Sequence, residues 1–174
     1  MARIAPIAPE AMSTELKQLL DSRPPYNIYR ILANAPTALP GFVQLAGALL
    51  TRSELDPQLR EMVILRVGYL QRSDYELFHH SELARSFGVT DAEQAAIVSD
   101  DLSVLGAAER ALIEFASEVI IHVSPSDAAL DAMRRHYSDR FLFDMVVLIG
   151  SYMLTARLAA VGGVAIEDEP VTGW

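Results

Sequence analysis

A run of acidic and imidazole side chains in the middle of the chain has the make-up of a proton-transfer site. From Ser73 the sequence reads Ser73-Asp74-Tyr75-Glu76-Leu77-Phe78-His79-His80 and continues through Ala84 to Gly88 with no internal glycine or proline, which predicts one helix. Residues three and four apart on a helix are neighbours, so Glu76 is within reach of both His79 and His80, and spacing does not choose between them. Ser73, Glu76, His80 and Ala84 form a stripe that is small, polar and protonatable. Upstream, Glu61 stands in Arg60-Glu61-Met62-Val63-Ile64-Leu65, on a run that is otherwise mostly apolar. A carboxylate in an apolar wall costs several kcal/mol unless it is paired or keeps its proton. Two buried carboxyls and a histidine suit general acid–base chemistry, in which one acid is held neutral by its surroundings.

The elements that must position these groups are helical. No stretch alternates at period two for long enough to make a strand, so the expected fold is all-α, a bundle of about seven to nine helices. Residues 1–12 carry three prolines and read as an extended lead-in. Ser13 caps a helix from Thr14 to Asp21, which Arg23-Pro24-Pro25 closes. Tyr26 to Asn34 follows as a short aromatic helix that could cover the site, and the next helix starts near Leu39 or Gly41. Asp56-Pro57 is a start signal for a central helix, apolar nearly all round, that ends near Leu70. Gly88 stops the motif helix, and Thr90 with Glu93 has capping-box spacing. In the second half, helices are expected from Ala107 to Val123, from Ser124-Pro125 onward, and from Phe141 to about Val161, ended by Gly162-Gly163. Leu55 to Val67 can be laid on Leu105 to Val119, where Ala111 would face Glu61. Residues 164–174 read as a loose tail of a single domain spanning 1–174.

Composition removes several function classes. A net charge of −9 argues against nucleic acid and anionic membranes as partners, since both need clustered Lys and Arg. With no cysteine, disulfides and thiolate metal sites are impossible. The most apolar segment, 145–156, lies between Asp144 and Arg157, too short to span a bilayer. It reads as a buried helix of a cytoplasmic protein. Hydrophobic residues make up 51% of the chain, more than a lone domain readily buries, which points to self-association. Neither a phosphate-binding glycine loop nor a nucleophile elbow occurs. Glu76 and His79 have the Glu-x-x-His spacing of di-iron bundles, but those bundles need two such motifs and two more glutamates. A single metal held by Glu61, Glu76 and one histidine is the metal alternative, and the expectation is no metal and no cofactor.

The order Arg60-Glu61, aliphatic run, Tyr75-Glu76, His80, Ala84, Gly88 resembles the carboxymuconolactone decarboxylase family, which includes the alkylhydroperoxidases that reduce peroxides through a cysteine pair. The resemblance implies an alkylhydroperoxidase-like helical bundle, with Glu61 and His80 as the proton-relay pair. It selects His80 over His79. It also puts Ser73 and Glu76 where the peroxidases carry cysteines, so the chain looks like the cysteine-free branch, where the decarboxylases belong. Glu61, Glu76 and His80 are then the expected catalytic residues, with Tyr75, Arg60 and Arg66 expected to hold the substrate. The implied activity is decarboxylation, or a related proton transfer, of a small carboxylated lactone or keto acid in a homo-oligomer, commonly a trimer or hexamer. The alternative is a ligand-binding or structural member of the same fold with a satisfied polar network.

Overall fold

The structure, a computed structural model, describes residues 3–53 and 55–170. Among the described residues the chain forms nine α-helices, two single-turn 3-10 helices and no strand. The helices are α1 (Thr14–Asp21), α2 (Asn27–Leu32), α3 (Leu39–Thr51), α4 (Pro57–Leu70), α5 (Asp74–Ser86), α6 (Asp91–Ile97), α7 (Ala107–His122), α8 (Asp127–Arg134) and α9 (Asp139–Gly162).

Short-range signals set most boundaries. Asp56 caps α4 through Oδ1, which accepts from Gln58 N at 2.9 Å and Leu59 N at 3.2 Å, and Pro57 fills the first helical position. Thr90 and Glu93 form the expected reciprocal capping box at α6. Gly88, at φ +93°, leaves α5 by a left-handed turn that a side chain would strain. One boundary differs from expectation. The cap of α8 is Ser126, whose Oγ accepts from Ala129 N, so this helix begins after Ser124-Pro125 and not at it. Helix α9 starts two residues before the expected Phe141 and ends at the Gly162-Gly163 stop, with Asp144 and Arg157 inside it.

Helix α4 is the spine, packed on by α5, α6, α7 and α9. Residues 60–68 of α4 are all buried, which explains why its sequence shows no apolar face. Ala111, the counterpart of Glu61 in the faint internal echo, is buried on α7, which packs directly on α4. Gly68 lets α5 close on α4, since a Cβ there would stand 3.2 Å from Leu77 Cδ2 and 3.4 Å from Glu76 Cβ. Helix α9 is the other long strut, in contact with α2, α3, α4, α5 and α7. By length and composition it could cross a membrane, but 44% of its most apolar window is buried inside the fold.

The buried apolar side chains form two clusters. The larger joins α4, α7 and α9 around Met62, Leu65, Leu112 and Ile149. The smaller gathers α1, α2 and α3 through Leu16, Tyr29, Leu32 and Val43 and meets the rest of the molecule at Tyr75 and Ala159. The seam between these clusters contains the polar residues singled out above.

The segment after α9 is anchored, contrary to the expectation of a loose tail. Glu167 Oε1 accepts from Asn27 N at 2.6 Å and from the Tyr75 hydroxyl at 2.9 Å, while Asn27 Nδ2 donates to Ala165 O at 3.0 Å. The lead-in is tied too, with Arg3 N and Ile4 N both donating to Gly162 O. Residues 1–2 and 171–174, the ends of the expected lead-in and tail, lie outside the described residues.

Candidate active site

Helix α5 carries most of the site. Ser73 accepts from Glu76 N at 3.4 Å and caps the helix, so Glu76 falls in its first turn and His79 and His80 one turn later. The expected meeting of Glu76 with both histidines does not occur. Each histidine is held instead by an acid from elsewhere in the chain. His80 Nδ1 lies 2.6 Å from Glu61 Oε2, and Glu61 Oε1 accepts from Arg60 Nε at 3.1 Å. Arg60 also donates from Nη1 to Leu50 O at 3.0 Å, and Phe87 lies under its guanidinium. Arg60, Glu61 and His80 therefore form a buried chain in which both Glu61 oxygens are satisfied and Glu61 has no exposed surface.

His79 faces the other way. Its Nε2 donates to Glu167 Oε2 at 2.6 Å, and its ring packs edge-on against Tyr26 and Tyr75. Burial lowers the His79 pKa, an effect that outweighs the opposing pull of Glu167.

Glu76 is the exception in this tightly paired region. It is buried, and neither carboxylate oxygen has a hydrogen-bond partner. Burial pushes its pKa well above the usual carboxylate range, with the Ser73 hydroxyl opposing only in part. Burial without a partner favours the neutral form of this carboxyl. Tyr152, edge-on to His80 at 5.0 Å between ring centroids, is likewise held as the neutral phenol by burial, reinforced by Glu61 and Glu76.

These groups face one cavity of about 50 Å³ at the seam between the clusters. Glu76, His80 and Tyr152 line one side, and Tyr29, Phe42 and Leu50 line the other. The volume is well short of the few hundred Å³ of a typical small-molecule site and has room for roughly one or two waters. Among the described residues no three His, Asp or Glu side chains converge as a metal site would require.

The structure therefore brings Glu61, Glu76, His80 and Tyr75 together, with Arg60 behind Glu61. It does not bring Arg66 there. Arg66 Nε donates to Ser117 Oγ at 2.8 Å and Nη1 to Ile97 O at 2.7 Å, and Nη2 pairs with Asp100, so it braces α4 against α7 and the end of α6. On a helix buried all round, sequence could not show which neighbour each arginine faces. Glu167 and Tyr152 went unmarked by sequence reasoning, whereas Tyr26 lies in the aromatic segment expected to cover the site. Glu167 lies 88 residues from His79, and only its setting among Asp168, Glu169 and Pro170 was visible.

Residues 36–118, which contain α4, α5 and the Glu61–His80 pair, match the carboxymuconolactone decarboxylase family. Over that segment, just under half of its length, the chain is similar to this family. Among solved structures it is similar to an alkylhydroperoxidase AhpD core, an uncharacterized peroxidase-related protein from Ralstonia eutropha JMP134, with TM-score 0.81 and 20% identity over 96% of this chain and 93% of that one. A peroxidase-related protein from Silicibacter sp. TM1040 gives TM-score 0.76 and 19% identity over 94% and 88% of the two chains. The debrominase Bmp8 gives 0.75 and 18% over 95% and 92%. At these identities the likeness establishes the alkylhydroperoxidase-like all-α fold and nothing further. Among curated proteins none matches the chain.

Proposed function

We propose that this protein is an acid–base enzyme that decarboxylates, or moves a proton within, a small carboxylated lactone or keto acid. One observation carries the reading: a buried, unpartnered Glu76 faces the same cavity as His80, whose Nδ1 is held by the buried Glu61. Loss of carbon dioxide leaves the electrons of the broken carbon–carbon bond on the adjacent carbonyl system. The neutral Glu76 acid donates a hydrogen bond to the oxygen where that charge develops, and an apolar setting makes the bond worth more than in water. A proton held by the His80–Glu61 pair is then delivered to carbon, with Arg60 balancing the Glu61 charge. Tyr75 and Tyr29 confine the substrate. A cavity this small requires α2 and α3 to move outward for a substrate to enter, which their separate apolar cluster permits.

Thiol chemistry of the peroxidase kind is closed to a chain without cysteine. The reading includes a cytoplasmic location and a homo-oligomer, a trimer or hexamer by family resemblance. The apolar face of α9 that carries Phe143, Val147, Leu154 and Val161 is exposed and suits a second copy. The small cavity and the satisfied Arg60–Glu61–His80 network favour one alternative, a ligand-binding or structural member of the fold.

The deciding experiment is turnover of a panel of carboxylated lactones and β-keto acids by the wild type, Glu61→Gln, Glu76→Gln and His80→Ala. Activity that falls at least about 100-fold in the folded variants supports the acid–base reading. No turnover of any panel member by the wild type gives the case to the alternative.

A further inference from the structure

A second cavity, of about 100 Å³, adjoins the first, and Tyr29, Ala46 and Leu50 line both. Arg23 is the only charged residue lining it among the described residues. The backbone fixes where this side chain starts: Arg23 N donates to Leu20 O as α1 ends, and Pro24-Pro25 forces the chain out of helical geometry just beyond. From there the guanidinium runs beneath Tyr29 toward α3, with Nη1 4.0 Å from where a Cβ on Gly47 would stand. It is close enough to Tyr29 for its charge to offset part of the rise that burial imposes on that phenol.

Arg23 lacks the partners that Arg60 and Arg66 have. Its Nε is shut off from solvent with no hydrogen-bond acceptor, and it forms no ion pair among the described residues. A guanidinium cannot shed its proton to escape this cost, so an unpaired buried N–H remains a site that wants an acceptor. The two arginines that sequence put forward as substrate holders are both consumed, Arg60 by Glu61 and Leu50 O, and Arg66 by Ser117, Ile97 O and Asp100. What sets Arg23 apart is its buried Nε with no acceptor.

We propose that Arg23 is a specificity-determining residue that takes, through its planar fork, a carboxylate of the ligand remote from the centre facing Glu76 and His80. As a statement about substrate this rests on the acid–base reading; as a statement about binding it does not. The preferred ligand is then a small anion whose carboxylate sits in the cavity under Tyr29 while its other end reaches the cavity lined by Glu76, His80 and Tyr152.

The test uses glutarate as an unreactive probe and its dimethyl ester as the uncharged control, titrated calorimetrically into the wild type, Arg23→Gln and Arg23→Lys. Glutarate binds the wild type and binds Arg23→Gln at least about 10-fold more weakly, Arg23→Lys recovers part of the loss, and the ester is indifferent to all three. In turnover, Arg23→Gln raises KM for carboxylated substrates by a similar factor and leaves kcat within about 3-fold. No glutarate binding to the wild type at concentrations up to about 10 mM, or equal binding by wild type and a folded Arg23→Gln, overturns the proposal. Because calorimetry needs no turnover, an inactive protein still tests Arg23. Turnover with KM unchanged in Arg23→Gln would remove Arg23 and leave the acid–base reading standing.

Discussion

Replacing Glu76 by glutamine tests the protonation state on which the proposed chemistry depends. The native protein buries this carboxyl without a partner, and burial raises its pKa well above that of an ordinary glutamate. Between the unfolded pKa and the higher folded one, the native state holds a proton that the unfolded state has released. Fewer protons on the unfolded chain make stability fall as pH rises, at about 1.4 kcal/mol per pH unit while only the native side is protonated. Glu76→Gln has no such proton, so its stability relative to wild type should improve as pH rises above the unfolded pKa, at about 1.4 kcal/mol per pH unit, and level off at the folded pKa. The slope is decisive and the absolute difference is not, because the amide brings its own desolvation cost. Urea unfolding of both proteins, followed by circular dichroism at steps from about pH 5 to about pH 8, reads the difference directly. Total stabilities of about 5–15 kcal/mol leave room to see it. A difference that stays flat across that range would show Glu76 ionised or paired in the native protein, and the neutral acid at the centre of the proposed mechanism would be lost.

Three further outcomes are expected. Arg66→Met breaks a brace between α4, α6 and α7 and leaves Ile97 O without its donor, which should cost about 1–3 kcal/mol in chemical denaturation with no change in glutarate affinity, because Arg66 lies outside the site. Glu167→Gln removes the one influence that raises the His79 pKa, so an NMR titration should find that pKa lower than in wild type, and hydrogen exchange should quicken in 164–170 and α2. Leu154→Glu with Phe143→Glu, on a face where Phe143 is 72% exposed, should convert an assembled wild type to monomer in sedimentation velocity without unfolding it; an assembly that persists points to another surface.

What the sequence revealed and what it hid divide along the range of the interactions. The caps at Asp56 and Thr90 and the stop at Gly88 each depend on residues within a few positions, so α4, α5 and α6 were readable nearly to the residue. The α8 cap moved to Ser126 because Ser124-Pro125 offers the same chemistry two positions earlier. Glu61 was legible as an anomaly, a carboxylate in an apolar run. Its partner His80 was chosen over His79 by family resemblance, since both lie at allowed spacing from Glu76 and the true acceptors stand on α4 and beyond α9. Arg66 was misplaced for a reason intrinsic to α4: a helix buried on every side has no polar face to show where each side chain points. No linear pattern marks Arg23, whose distinguishing property is the lack of a partner in three dimensions.

The position of the site at the seam between the two clusters links its electrostatics to its access. Deep in the larger cluster Glu76 could keep its proton, but no ligand could reach it; at the surface a ligand could, but water would restore an ordinary pKa. At the seam, α5 and α9 give Glu76 a dry wall on one side, while the cluster of α1, α2 and α3 closes the other. The closing side meets the rest of the molecule at Tyr75 and Ala159 in the small cluster, and through Glu167, which reaches from beyond α9 to Asn27 at the start of α2. Arg23 belongs to that closing side, as do Tyr29 and Phe42, whereas Glu61, Glu76 and His80 belong to the wall formed by α4 and α5. A ligand carboxylate on Arg23 would therefore draw the two sides together over the acid groups, so that binding at one end of the ligand completes the dry environment that the chemistry at its other end requires.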